Sequence, residues 1–195
     1  MSDALRDDET DITYRYTYAD YLEWEGPERY QLINGEAYMM ASPSVSHQAV
    51  LMGLSSKFDV WLQGKPCKVF AAPLDVRLFP KKDRSDNTVF QPDLLVVCDS
   101  KILSKKSVDG APDMIIEIRS PSNTHSQLFQ KFNYYLKAGV REYWVIDPDI
   151  KEVNVYLYDN GRYFTMLYKD DDRVPVTILP GLEIALDDIW ARANI

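Results

Sequence analysis

The chain has 195 residues, 46% hydrophobic and 27% charged, a length and composition that suit one globular domain with one sizeable core. No apolar run approaches the roughly 18 residues needed to cross a bilayer, and the opening MSDALRDDETDIT lacks the basic and apolar regions of a secretory signal, so the expectation is a cytoplasmic protein with no membrane partner. A net charge of −8 argues against a broad basic surface that holds nucleic acid by phosphate neutralisation, but it suits a carboxylate site whose field a bound cation inverts.

Residues 1–13 are polar and acidic without apolar periodicity, which predicts a disordered tail ahead of a single domain over 14–195. Thr17 can cap a short helix running to Glu25, closed by Gly26-Pro27. Residues 30–33 and 36–40 read as a β-hairpin, because the intervening Asn34-Gly35 accepts the positive φ of a two-residue turn. Behind Ser44 or Ser46, Val50, Leu51, Leu54, Phe58, Trp61 and Leu62 recur at helical spacing and predict a first long helix ending before Gly64. Short strands follow at 69–72 and 74–79, then a polar loop through Asn87. The runs 89–97 and 114–118 are too short for helices and rich in Val and Ile, which predicts the centre of a sheet. A second long helix spans about 123–138 and stops at Gly139. Residues 142–146, 152–158 and 162–167, set apart by Asp-Pro-Asp and Asp-Asn-Gly, predict a β-meander, and a last strand at 183–186 precedes a short helix around Trp190. The fold class is therefore α/β: a mixed α+β sheet flanked by helices. Cys67 and Cys98 lie in apolar-rich segments at no metal-ligand spacing, so reduced, buried thiols in a reducing compartment are expected.

Antiparallel pairing of the strands 89–97 and 114–118 would bring Asp93, near the start of one, and Glu117, near the end of the other, to the same sheet edge. Strand alternation adds Arg119 to the face of Glu117. A carboxylate among Leu94, Leu95, Ile115 and Ile116 needs a compensating charge, and Mg2+ or Mn2+ supplies one while keeping waters for reaction. Asp93 and Glu117 are thus the candidate metal ligands, with Arg119 as a cation for a pentavalent phosphoryl transition state. The same residues also allow a metal-free ion pair, Glu117 with Arg119 or Asp93 with a lysine. Lys131 falls about 60° from the centre of the helical stripe Leu128, Phe132 and Tyr135, where a lysine either snorkels to solvent or meets a carboxylate. Glu36, sharing a hairpin face with Tyr38 and Met40, is a third candidate acid. His47, at the start of the first long helix, is an accessory candidate for orienting water or phosphate, or a structural residue only.

Taken together, Tyr30-Gln-Leu-Ile-Asn-Gly-Glu36, Ser46-His47, Gln91-Pro-Asp93, Pro112-Asp113 with Ile115-Ile-Glu117, Ser120-Pro-Ser122, Lys131, Ala138-Gly-Val-Arg-Glu-Tyr-Trp144 and Asp147-Pro148 form a distinctive combination. In these residues the chain resembles the Uma-type family of restriction endonuclease-like proteins, once catalogued as a domain of unknown function, within the PD-(D/E)XK nuclease superfamily. The likeness covers about residues 15–190. It implies a restriction endonuclease-like core and Mg2+-dependent cleavage of DNA. By resemblance, Asp93 and Glu117 match the family's metal-binding acids, Glu36 its upstream acid and Lys131 its helix lysine. Two positions depart from the pattern. Arg119 stands where the superfamily usually has lysine, and a guanidinium cannot take up a proton; Gln127 stands where an acid is common. The resulting expectation is an endonuclease with DNA as substrate, acting as a homodimer. Two other readings use the same residues: a catalytically degenerate nuclease fold serving as a dimeric interaction or regulatory module through Tyr143, Tyr156, Tyr158, Tyr163 and Tyr168, and a hydrolase of small phosphoesters.

Overall fold

The computed structural model of the chain describes residues 14–120 and 125–193; the tail expected over 1–13 and the expected helix start at Asn123 lie outside the described residues. In chain order the elements are α1 (Tyr18–Tyr21), β1 (Tyr30–Ile33), β2 (Glu36–Met39), α2 (Val45–Leu62), β3 (Lys68–Ala71), β4 (Asp75–Arg77), β5 (Leu94–Val97), β6 (Ser107–Asp109), β7 (Met114–Ile118), α3 (His125–Ala138), β8 (Glu142–Asp147), β9 (Glu152–Asp159), β10 (Arg162–Lys169), β11 (Arg173–Pro175), β12 (Glu183–Ala185) and α4 (Leu186–Ala193).

Local chemistry accounts for most boundaries. Thr17 and Asp20 close a reciprocal capping box on α1, but the helix ends after one turn instead of reaching Glu25. Trp24 packs edge-on against Tyr16 and Tyr30 instead. The β1–β2 hairpin turns at Asn34 and Gly35, with φ of 52° and 81°. Ser44 caps α2 by accepting the His47 N–H. Gly139, with φ of 79°, follows the last residue of α3.

The central sheet has six strands in the order β10-β9-β8-β7-β5-β3. Within it only β7 and β8 run parallel, as they must, because α3 carries the chain from the end of one back to the start of the other. On one face α2 and α4 cover Leu94, Ile116, Trp144 and Val155. On the other, α3 covers Leu95, Ile115 and Tyr143 through Tyr135. β7 is buried on both faces along its whole length, which explains its unbroken apolar run.

Several expectations are corrected. The run 89–97 is not one strand: Val89 and Phe90 make isolated bridges to Leu32 and Val76, and β5 begins only at Leu94. Pro92 between them has no N–H to give a ladder. β6 and β11, each of three residues, carry too little pattern to be read in advance. Cys67 and Cys98 are joined in a disulfide, not reduced. The register Lys68↔Val97 places them opposite each other, one step beyond the β3–β5 ladder. The inference of a reducing compartment, which rested on free thiols, loses that footing. Among the described residues no helix is long and apolar enough to cross a membrane. In the meander, Tyr143 is fully buried, and Tyr156 and Tyr163 pack their rings on Phe132 of α3, so these tyrosines serve the core and not an exposed patch.

Candidate active site

Asp93 directly precedes β5 and Glu117 lies near the end of β7. The pairing Leu94↔Ile116, continued by one step, sets Asp93 opposite Glu117. Asp93 Oδ2 accepts the Ile118 N–H at 2.7 Å, and its Oδ1 lies 3.2 Å from His47 Nε2 on α2. Glu117 is 5% exposed. Lys131 Nζ donates to both of its carboxylate oxygens at 2.8 Å, and the Tyr135 hydroxyl donates to Oε1 at 2.7 Å. Lys131 and Tyr135 are four residues apart on α3, so they point to the same side. Burial pushes the Glu117 carboxyl above its ordinary range; the Lys131 ammonium opposes that push and the Asp93 charge adds to it. Burial and then the Glu117 charge push the Tyr135 phenol well up, so it remains a hydrogen-bond donor.

These groups open onto a cleft of about 140 Å3 lined by Arg29, Gln31, His47, Asp93, Glu117 and Lys131, with Gln91, Ser120 and Gln127 also on its wall. Gln31 Oε1 is buried with no hydrogen-bond partner. Among the described residues no group of three or more His, Cys, Asp and Glu gathers as a ligand cluster. The oxygen donors on the cleft wall include the two carboxylates and several amides, among them the unpartnered Gln31 Oε1.

Two of the residues singled out from the sequence are not brought to the cleft. Glu36 pairs with Arg15 at 2.8 Å and accepts the Tyr38 hydroxyl at 2.8 Å, with 45% of its side chain exposed, and it is absent from the cleft wall. From this hairpin Gln31 enters instead. Arg119 continues past β7 beside β8, where its N–H bonds the Ile146 carbonyl and its guanidinium pairs with Asp147. It lines a separate groove with Phe132, Tyr143 and Tyr156. Arg29, Gln31 and Gln91 were missed. Gln31 carried one local signal, a lone amide in an otherwise apolar and aromatic strand.

The fold and sequence of the chain have counterparts among known proteins. A crystal structure described as a "putative nuclease belonging to DUF820" from Anabaena variabilis matches with a TM-score of 0.74 at 23% identity, covering 91% of this chain and 99% of that one; the two share a fold. An uncharacterised protein of a Synechocystis species is 25% identical over 175 residues, 88% of this chain and 89% of that one. A second from the same organism is 27% identical over 145 residues, 72% and 79% of the two chains. The Uma2 family model, described as "Putative restriction endonuclease", matches residues 18–187, a span that includes every cleft residue named above, and the chain belongs to that family.

Proposed function

We propose that the chain is a metal-dependent nuclease that hydrolyses DNA phosphodiester bonds, with Asp93 and Glu117 as the carboxylates that hold Mg2+ or Mn2+. One observation carries this reading: two acids distant in sequence meet on paired strands at one cleft, and the buried one is served by a lysine from the adjoining helix. The family's description and that of the Anabaena neighbour supply the substrate class.

The donors suit such an ion. Carboxylate and amide oxygens are the hard ligands that Mg2+ and Mn2+ prefer, and the unpartnered Gln31 Oε1 is a buried acceptor in want of a donor or a cation. When bound, the ion polarises a phosphoryl oxygen and lowers the pKa of a bound water. The chain's own groups do the rest. The Ile118 N–H and His47 fix the two oxygens of Asp93, and Tyr135 fixes Oε1 of Glu117. The Lys131 ammonium, held at the cleft wall, stabilises negative charge developing on the phosphoryl oxygens, the role the sequence had offered to Arg119. The reading extends to a homodimer, for which analytical ultracentrifugation is expected to give twice the chain mass; the mass of a single chain would overturn it.

Purified protein incubated with supercoiled plasmid and Mg2+ or Mn2+ is expected to nick it, and Asp93→Ala and Glu117→Ala are expected to abolish nicking. No cleavage with either ion, together with no heat of Mn2+ binding by calorimetry, would overturn the reading.

A further inference from the structure

Arg29 immediately precedes β1 and lines both the cleft and an adjoining shallow groove formed with Pro27, Met39, Ala41 and Pro43. Its backbone carbonyl accepts the Met40 N–H at 2.8 Å, which ties it to the hairpin. Its side chain is aimed by a neutral partner. Nε and Nη2 both donate to Gln91 Oε1, at 3.1 and 2.8 Å. Gln91 is in turn held through Nε2, which donates to Asp75 Oδ1 at 2.9 Å and to the Tyr21 hydroxyl at 3.0 Å.

This setting differs from those of Arg15, Arg77, Arg119 and Arg141, each of which faces a carboxylate. Among the described residues no carboxylate lies within ion-pair distance of Arg29. One edge of its guanidinium is spent on an amide, which orients the group without cancelling its charge. The Nη1–Nη2 edge has no oxygen acceptor among the described residues; Nη2 makes a long contact to Met40 Sδ at 3.9 Å. A planar pair of parallel N–H donors with uncancelled charge matches two oxygens of a phosphodiester.

We propose that Arg29 is a substrate-binding residue that grips a backbone phosphate of the DNA strand where it passes from the groove into the cleft. The proposal rests on the nuclease reading and adds to it a residue that contacts substrate without contacting the metal. Gln91 is the positioning residue that holds it in place.

Binding of a short fluorescein-labelled duplex to the full chain in Ca2+, followed by anisotropy across a range of KCl, tests it. Arg29→Met is expected to weaken binding about tenfold and to reduce the slope of log K against log salt by about 1, the loss of one phosphate contact. Arg29→Lys is expected to keep the slope but lose part of the affinity, because an ammonium is a point charge without the fork. Mn2+ affinity by calorimetry is expected to match the unsubstituted chain in both variants. Arg29→Met with an unchanged slope overturns the proposal, whether or not affinity falls, since a structural role alone leaves the slope intact. If the unsubstituted chain neither binds nor cuts DNA, the nuclease reading fails. Titration with inorganic phosphate, read at the Arg29 Nε–H resonance, then decides the arginine by itself: a saturable shift supports it and no shift overturns it.

Discussion

Lys131 and Glu117 form a buried ion pair in which one ammonium lies 2.8 Å from both carboxylate oxygens, with side chains 5% and 7% exposed. The pair links α3 to β7 at the wall of the cleft, so the contact that fastens the helix also belongs to the proposed site. Removing one member strands the other charge in the interior. Lys131→Met is therefore expected to cost about 3 to 5 kcal/mol in urea unfolding and to abolish plasmid nicking. A variant as stable as the unsubstituted chain would mean that the two groups are solvated and not paired.

Glu36 and Arg119 provide the opposite expectation. Both are engaged away from the cleft, by Arg15 and by Asp147. Glu36→Ala and Arg119→Ala are each expected to retain nicking within about threefold; Glu36→Ala, whose pair with Arg15 is half exposed, is expected to cost no more than about 1 kcal/mol of stability, and Arg119→Ala to cost more, because it leaves the buried Asp147 carboxylate without its cation. Loss of cleavage in either variant under conditions where it remains folded would return that residue to the catalytic set.

Glu142 is a carboxylate of structural use. It is fully buried and accepts the Trp144 indole N–H at 2.8 Å and the Ile178 N–H at 2.9 Å. Burial raises its pKa, against the lowering effect of those donors. A carboxyl whose pKa is raised on folding contributes stability that is complete below its unfolded pKa and is lost as pH rises through its folded pKa. The stability of the unsubstituted chain relative to Glu142→Gln is thus expected to be greatest in acid and to decline as pH rises from about 4 towards neutrality. Urea titrations of both proteins across that range check it; a difference that grows with pH would reverse the sign.

The Cys67–Cys98 bond closes a loop across 31 positions of sequence and fastens the edge strand β3 to β5. Loop-closure entropy for that span is worth about 3 to 4 kcal/mol. Cys67→Ser with Cys98→Ser, and separately dithiothreitol, are expected to lower the melting temperature by the same amount. Identical melting with and without reductant, on protein shown by thiol labelling to be oxidised, would remove any stabilising role.

Much of this architecture was readable in the chain itself. The periodicity of Val50, Leu54 and Phe58, the Asn34-Gly35 turn, the stop at Gly139 and the alternating meander are determined within a few residues of where they occur, so α2, the β1–β2 hairpin, the C-terminal end of α3 and β8 to β10 were expected close to their observed bounds. The convergence of Asp93 with Glu117 followed from two strands and one loop. The helical face of Lys131 followed from its spacing to Leu128, Phe132 and Tyr135.

What the chain could not announce was decided by register between distant segments. Whether Lys131 would reach Glu117 or snorkel depended on how α3 settles on β7. Arg119 passes to Asp147 because β8 lies parallel beside β7, and Cys67 meets Cys98 because Lys68 pairs with Val97. Gln31 rather than Glu36 enters the cleft through the placement of the hairpin against the sheet. A side chain's periodicity is a property of its own backbone, whereas its partner is chosen by how separate elements pack, and a shift of one residue in a strand pairing exchanges every contact on both faces.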